Sequence, residues 1–231
     1  MKLDADAGLR IDTLVLGEMM TNCYVLTCAE PAPAGSVGLA VEACWVVDPG
    51  LAPKPLLAFL RKKGLAPQRV LLTHGHGDHI AGVGQLKRAY PGAIVTAPEG
   101  DAKMLQDPIK NLSAAFGLDL TAPPADELVR PGEVLKMGAL EWRVLDASGH
   151  TPGGVAYHCA AAGVVLTGDS LFAESIGRYD LPGADGAQLL RNIRGNLFTL
   201  PDGTRVLPGH GEPTTIAHEK RHNPFVGEDE K

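Results

Sequence analysis

Aromatic residues are scarce in this sequence, 5% of 231 positions, and there are four cysteines: Cys23, Cys28, Cys44 and Cys159. No two of them stand in CxxC spacing, so the expectation is free thiols in a reducing, cytoplasmic setting. No apolar run reaches the ~18 residues that a membrane span requires. Met1–Gly8 carries three charges and no apolar signal core. Basic clusters are missing as well. Lys and Arg number 21 against 27 Asp and Glu, a formal net charge of -6, and no group of cations is large enough to grip a phosphate backbone. Composition therefore offers neither a membrane partner nor a nucleic-acid partner.

Punctuation is abundant: Gly 28 and Pro 18 imply many turns and close backbone approaches. The length suits a single globular domain over 1–231. Short apolar runs at Ile11–Leu16, Asn22–Thr27, Cys44–Val47, Arg69–Thr73 and Ala93–Thr96 read as strands, with a loop over Pro31–Gly38 and a turn at Asp48-Pro49-Gly50. Pro53–Lys63 reads as a helix ended by Gly64, and a second helix runs from the histidine-rich segment to about Tyr90. Glu99–Pro124 reads as a short helix followed by a loop. Val134–Leu135, Glu141–Leu145, Val155–Cys159 and Val164–Thr167 read as strands of a mostly antiparallel sheet. A helix is expected over Asp185–Phe198, a short strand at Arg205–Leu207, and a last helix capped by Thr214 or Thr215. Strands precede helices twice, an α/β pattern of two sheet-and-helix halves with the sheets facing each other and the helices outside.

The densest chemistry lies in Thr73-His74-Gly75-His76-Gly77-Asp78-His79, which places three imidazoles and one carboxylate within six positions. Imidazole nitrogen and carboxylate oxygen suit zinc, iron or manganese, and the two glycines allow tight turns. Three later positions share the local character. His150 lies in Ser148-Gly149-His150-Thr151-Pro152-Gly153, Asp169 in Thr167-Gly168-Asp169-Ser170, and His210 in Pro208-Gly209-His210-Gly211. Each sits near an expected strand end and follows a glycine, where loops gather into a pocket. Five histidines and two carboxylates are enough donors for two metals. A solvated polar loop is the alternative for the first cluster, and a turn or core residue for each later position taken alone.

These motifs resemble the metallo-β-lactamase superfamily, and within it the glyoxalase II-like, hydroxyacylglutathione hydrolase-like enzymes. HxHxDH matches 74–79, GHTPG 149–153, TGDSLF 167–172 and PGH 208–210, and the likeness spans roughly 12–226. It implies a four-layer αββα sandwich with metals at one edge. It also implies His74, His76 and His150 at one metal site and Asp78, His79 and His210 at the other, with Asp169 bridging. Zinc is the expected metal, with iron or manganese as alternatives. GRxDxP and HNPF elements resemble the short bacterial members, which have no separate C-terminal helical substrate domain.

Two metals ~3.5–4 Å apart can share a water or hydroxide, lower its pKa and polarise a carbonyl. Asp78 and Asp169 can also orient that nucleophile or pass its proton. The residues support metal-assisted hydrolysis, and the resemblance implies an acyl thioester such as S-lactoylglutathione or a related glutathione conjugate. Arg178 and Tyr179 are the candidate substrate contacts. Asp180 and Glu212 stand where the family places tyrosines that touch glutathione, and both would repel an acidic ligand. Arg178 also reads as a structural ion-pair residue. Met104, Leu105, Leu112 and Phe116 are candidates for a pocket wall or for core. His158 reads as a packing or edge residue, and His218 and His222 as surface positions on the last helix. The alternatives to hydrolysis of a thioester are an iron-dependent persulfide dioxygenase, a lactonase, a zinc β-lactamase, a phosphodiesterase, and a metal-binding protein without catalysis.

Overall fold

The computed structural model describes residues 8–29 and 42–227, so the expected loop over Pro31–Gly38 lies outside the described residues. The first half contains strands β1 (Leu9–Leu16), β2 (Thr21–Ala29) and β3 (Glu42–Val47), helix α1 (Lys54–Lys63), strand β4 (Arg69–Leu71), helices α2 (Gly77–Ile80) and α3 (Val83–Ala89), and strands β5 (Ile94–Pro98) and β6 (Glu127–Val129). These six strands form one sheet in chain order, antiparallel from β1 to β3 and parallel from β3 to β6. The second half contains β7 (Val134–Met137), β8 (Leu140–Asp146), β9 (Val155–Cys159), β10 (Val164–Gly168), β11 (Leu171–Phe172), β12 (Ser175–Ile176), α4 (Gly186–Asn192), β13 (Arg205–Pro208), β14 (Thr214–Thr215) and α5 (Ile216–His222). Its sheet runs β14-β13-β10-β9-β8-β7, with β11 and β12 as a separate hairpin.

Alternation along the strands produces the layers. In β2, Tyr24, Leu26 and Cys28 face one way and Cys23 and Val25 the other; in β3, Trp45 and Val47 oppose Cys44 and Val46. The first set meets Trp142, Val144, Tyr157, Leu166 and Leu207 of the second sheet in the central core. The second set packs under Leu56 and Leu60 of α1 and Val83 and Leu86 of α3. On the far side of the second sheet, Val165 and Val206 pack against Leu189 of α4 and Ile216 of α5. The result is the expected αββα sandwich. Helix α1 ends as its sequence implies: Gly64 adopts a left-handed φ of 66°, and its N–H bonds to Arg61 O.

Several expectations are corrected. The helix expected up to Tyr90 is two helices, because the chain at Gly82 passes against the Asp48-Pro49-Gly50 turn. The Gly82 N–H bonds to Pro49 O at 2.7 Å, and a Cβ there would lie 2.6 Å from that oxygen. The Asp185–Phe198 helix begins with the Asp185 carboxylate capping Gln188 N, but it loosens into a π turn over Ile193–Leu197. Glu99–Pro124 contains two 3₁₀ turns, Glu99–Met104 and Ser113–Phe116. Strands β6, β11, β12 and β14 carry no strand expectation. Thr215 caps α5 by accepting from His218 N.

Candidate metal centre

The loops following β3, β4, β10 and β13, together with the β8–β9 loop, converge at one edge of the sandwich. Hydrogen bonds tie the two sheets together there. Asn22 Nδ2 donates to Pro208 O and Gly211 O at 3.0 and 2.8 Å, Tyr24 OH donates to Pro208 O at 2.6 Å, and Val155 N donates to Thr73 O at 2.9 Å. All seven donor residues expected from the motifs meet at this edge. One atom each of His74, His76 and His150 lie within 4.8 Å of one another, and so do atoms of Asp78, His79 and His210. Asp169 stands between the groups. Its Oδ2 is 3.6 Å from His150 Nε2 and 3.4 Å from His210 Nε2, and its Oδ1 is 3.3 Å from His79 Nε2.

Three of the five rings are oriented from outside. His150 Nδ1 faces Arg178 O at 2.7 Å, His79 Nδ1 faces Asp48 Oδ2 at 2.9 Å, and His74 Nδ1 faces Thr73 Oγ1 at 3.1 Å. The Nε2 atoms of all three are thereby free to point inward, as outer partners orient metal-binding imidazoles. His150 Nε2 then lies 3.0 Å from His76 Nδ1, two ring nitrogens facing one another. Among the described residues, His74 Nε2 and Asp169 Oδ1 are buried without a hydrogen-bond partner. Such orphaned acceptors are costly unless something completes them. A pair of divalent cations accepts lone pairs at just such nitrogen and oxygen atoms, so this donor set fits the metals that the sequence implies.

The electrostatics agree with that fit. Burial, then the proximity of His150, lowers the His76 imidazole to about 3, and burial with His79 nearby pushes His74 well below its usual value. Both are therefore neutral near pH 7 with lone pairs available. Burial alone would raise Asp169, but His79 and the His210 hydrogen bond outweigh it and hold the carboxyl far below the ordinary range. Asp78 is held at about 2 in the same way: burial opposes ionisation, and His79 and His210 overcome it.

Gly209 is required by close approach, since a Cβ there would collide with Asp169 Oδ1 and lie 2.8 Å from His79 Cε1. Gly168 combines a φ of 51° with contact against Thr73, where a Cβ would meet Oγ1.

Two carboxylates missing from the sequence reading hold the centre in place. Asp48, read only as a turn residue, accepts from Thr73 N at 2.8 Å and Thr73 Oγ1 at 2.6 Å besides facing His79. Asp101 is fully buried and accepts from Gly75 N at 3.0 Å, Thr151 Oγ1 at 2.6 Å and Gly153 N at 2.7 Å, joining the His74–His76 loop to the His150 loop. Asp48, like Asp169, follows an apolar strand directly, and that signal could have exposed it. Asp101 carries no local signal.

The centre forms the floor of a cavity of about 740 Å³, where His76, Asp78, His150, Asp169 and His210 are exposed to its interior and His74 and His79 are buried deeper. Leu112, Phe116 and Arg178 lie on its wall, whereas Met104 and Leu105 are buried. Tyr179 is outside the wall, its ring packed 2.9 Å from where a Gly186 Cβ would stand. Arg178 forms an exposed pair with Asp180, Nε to Oδ1 at 3.0 Å and Nη2 to Oδ2 at 2.9 Å. Glu212 is exposed. His158 is buried in β9, and His218 and His222 make a tilted ring contact on α5, centroids 4.7 Å apart. No helix among the described residues is long and apolar enough to cross a membrane.

The family model described as the metallo-beta-lactamase superfamily matches residues 16–210. The chain belongs to this superfamily. A probable metallo-hydrolase of Bacillus subtilis, YqgX, is 36% identical over 91% of this chain and 94% of its own length. The hydroxyacylglutathione hydrolase GloC of Haemophilus influenzae is 35% identical over 78% of this chain and 86% of its own. Among solved structures, the BLEG-1 B3 metallo-beta-lactamase superposes with a TM-score of 0.83 at 34% identity, covering 94% of this chain and 99% of that one. TTHA1623, solved in a di-iron-bound form, superposes with a TM-score of 0.76 at 34% identity, covering 93% and 100%. Fold, paired donor groups and family together make this chain a metal-dependent hydrolase with a binuclear site for divalent cations.

Proposed function

We propose that the chain hydrolyses an acyl thioester to a carboxylate and a free thiol. The observation that carries this reading is the floor of seven donors at the base of an open cavity, with no cysteine on the wall. The likeness to GloC supports a thioester, and S-lactoylglutathione is the first substrate to try. In this reading His74, His76 and His150 would hold one cation and Asp78, His79 and His210 the other, with Asp169 standing between the two groups. When bound, the two cations supply Lewis acidity toward a carbonyl and toward water.

The remaining work falls to the side chains. Asp78 and Asp169 are ionised at neutral pH and act as acceptors that orient the attacking water. Thr21 donates to Asp78 Oδ2 at 3.0 Å and holds that carboxylate toward the cavity. Water oxygen bonds to the carbonyl carbon, the carbon–sulfur bond breaks with its electron pair on sulfur, one water proton ends on the thiol, and the other leaves to solvent as the new acid ionises to the carboxylate. Arg178, on the cavity wall, is placed to meet a polar group of the substrate. The test is S-lactoylglutathione turnover by protein of measured zinc, iron and manganese content, following lactate and thiol together. The expected result is equal release of both products, lowered at least 100-fold by His76→Ala and by Asp169→Ala. No thioester turnover by metal-loaded protein would reject the reading, and consumption of dioxygen with a persulfide would replace it.

A further inference from the structure

The cavity above the metal centre is walled mainly by apolar side chains, several of them uncovered. Met19, Phe116 and Leu118 line it and are 42%, 63% and 42% exposed, and Leu51, Leu112 and Leu181 continue the wall. Apolar surface of this kind, gathered round one opening, marks a ligand groove. Leu112 is held there at some cost. Its φ is 65°, a conformation uncommon for a non-glycine residue. Asn111 enforces it: its Nδ2 donates to Met104 O and Leu120 O at 3.1 and 2.9 Å, and its Oδ1 accepts from Ser113 N at 3.0 Å.

Charge is sparse on the same wall. Besides the metal-centre residues, the charged side chains lining it among the described residues are Glu18 and Arg178. Arg178 is already engaged by both oxygens of Asp180. Among the described residues, the wall above the metal centre therefore offers no unpaired cation. A ligand with two carboxylates, such as a glutathione conjugate, would leave at least one of them without a partner there.

We propose that the preferred substrate is an uncharged thioester whose arm beside the scissile bond is apolar, seated against Leu112, Phe116 and Leu118. This rests on the thioesterase reading, and it is tested by binding rather than by turnover so that the two can fail separately. The probes are non-hydrolysable thioethers: S-methyl to S-octyl N-acetylcysteamine and the matching S-alkylglutathiones, measured by calorimetry on the metal-loaded protein. Affinity should rise about fourfold per methylene until the wall is covered, and the neutral series should bind at least as tightly as the glutathione series. Phe116→Ser and Leu112→Asn should flatten the chain-length dependence. Phe116 is exposed and Asn tolerates a positive φ, so both variants should keep the parent melting temperature. Affinity independent of chain length, or glutathione thioethers binding more than tenfold tighter, would overturn the proposal, whether or not any thioester is cleaved. Absence of cleavage with the chain-length dependence intact would reject the thioesterase reading alone.

Discussion

Asp101 accepts three hydrogen bonds from two loops, one 26 residues before it and the other 50 and 52 residues after it, and burial raises its carboxyl above the ordinary range. Asp101→Asn keeps the shape but replaces one oxygen by a donor facing Gly75 N, Thr151 Oγ1 or Gly153 N. The expected cost is about 1–3 kcal/mol of stability, with a 10–100-fold loss of cation affinity because the His76 and His150 loops lose their common anchor. Denaturant unfolding and metal titration measure the two, and unchanged cation affinity would show that the loops are held independently. Asp48→Asn should also weaken cation binding 10–100-fold, since the amide cannot serve His79 and both Thr73 donors alike. The seven metal-centre residues were legible in the sequence because each stands beside a glycine or a second donor in a short motif. Asp48 and Asp101 were not, because their meaning lies in partners distant in the chain.

The hairpin of β11 and β12 brings Phe172, Ser175 and Ile176 to the cavity wall, and it is fastened by α5. Glu219, fully buried, accepts from Glu174 N at 2.9 Å, Thr214 Oγ1 at 2.6 Å and Asn223 Nδ2 at 2.8 Å, and Asn223 Nδ2 also donates to Ser175 O at 3.0 Å. Glu219→Ala leaves three donors without their acceptor, an expected loss of about 2–4 kcal/mol. For a chain of this size that is a fall of roughly 5–15 °C in Tm. A calorimetric scan checks it, and an unchanged Tm would remove Glu219 from the support of the wall. At this scale the sequence was readable where elements are long and patterned. Leu56 and Leu60 with Gly64 mark α1, the apolar run Cys23–Leu26 marks β2, and alternation marks β8. It was silent on β6, β11, β12 and β14 as strands, runs of two or three residues whose pairing is decided by their neighbours.

Over the whole molecule, the metal-free protein should show a stability optimum set by its own donors. His210 is desolvated, yet hydrogen bonds to Asp169 and Asp78 raise it to about 10. Its folded value exceeds the unfolded ~6.5, so its contribution is complete below that pH and is lost as pH rises toward 10. His76, lowered to about 3 by burial and then by His150, works the other way: its contribution is complete above ~6.5 and is lost as pH falls toward 3. The chelated protein should therefore melt highest near pH 6.5, and a Tm that climbs steadily from pH 7 to 10 would contradict the assignment.

The αββα architecture itself was legible from strand–helix order and motif resemblance, whereas the cavity was legible only through Leu112 and Phe116 of one segment, because Met19, Leu51 and Leu181 reach it from other loops. The most direct test of the central claim is to titrate chelated protein with zinc while following bound cation and thioester hydrolysis together. The account predicts saturation at two cations per chain with hydrolysis rising alongside, and loss of both tight sites in Asp169→Ala. Saturation at one cation, or full two-cation binding by Asp169→Ala, would contradict it.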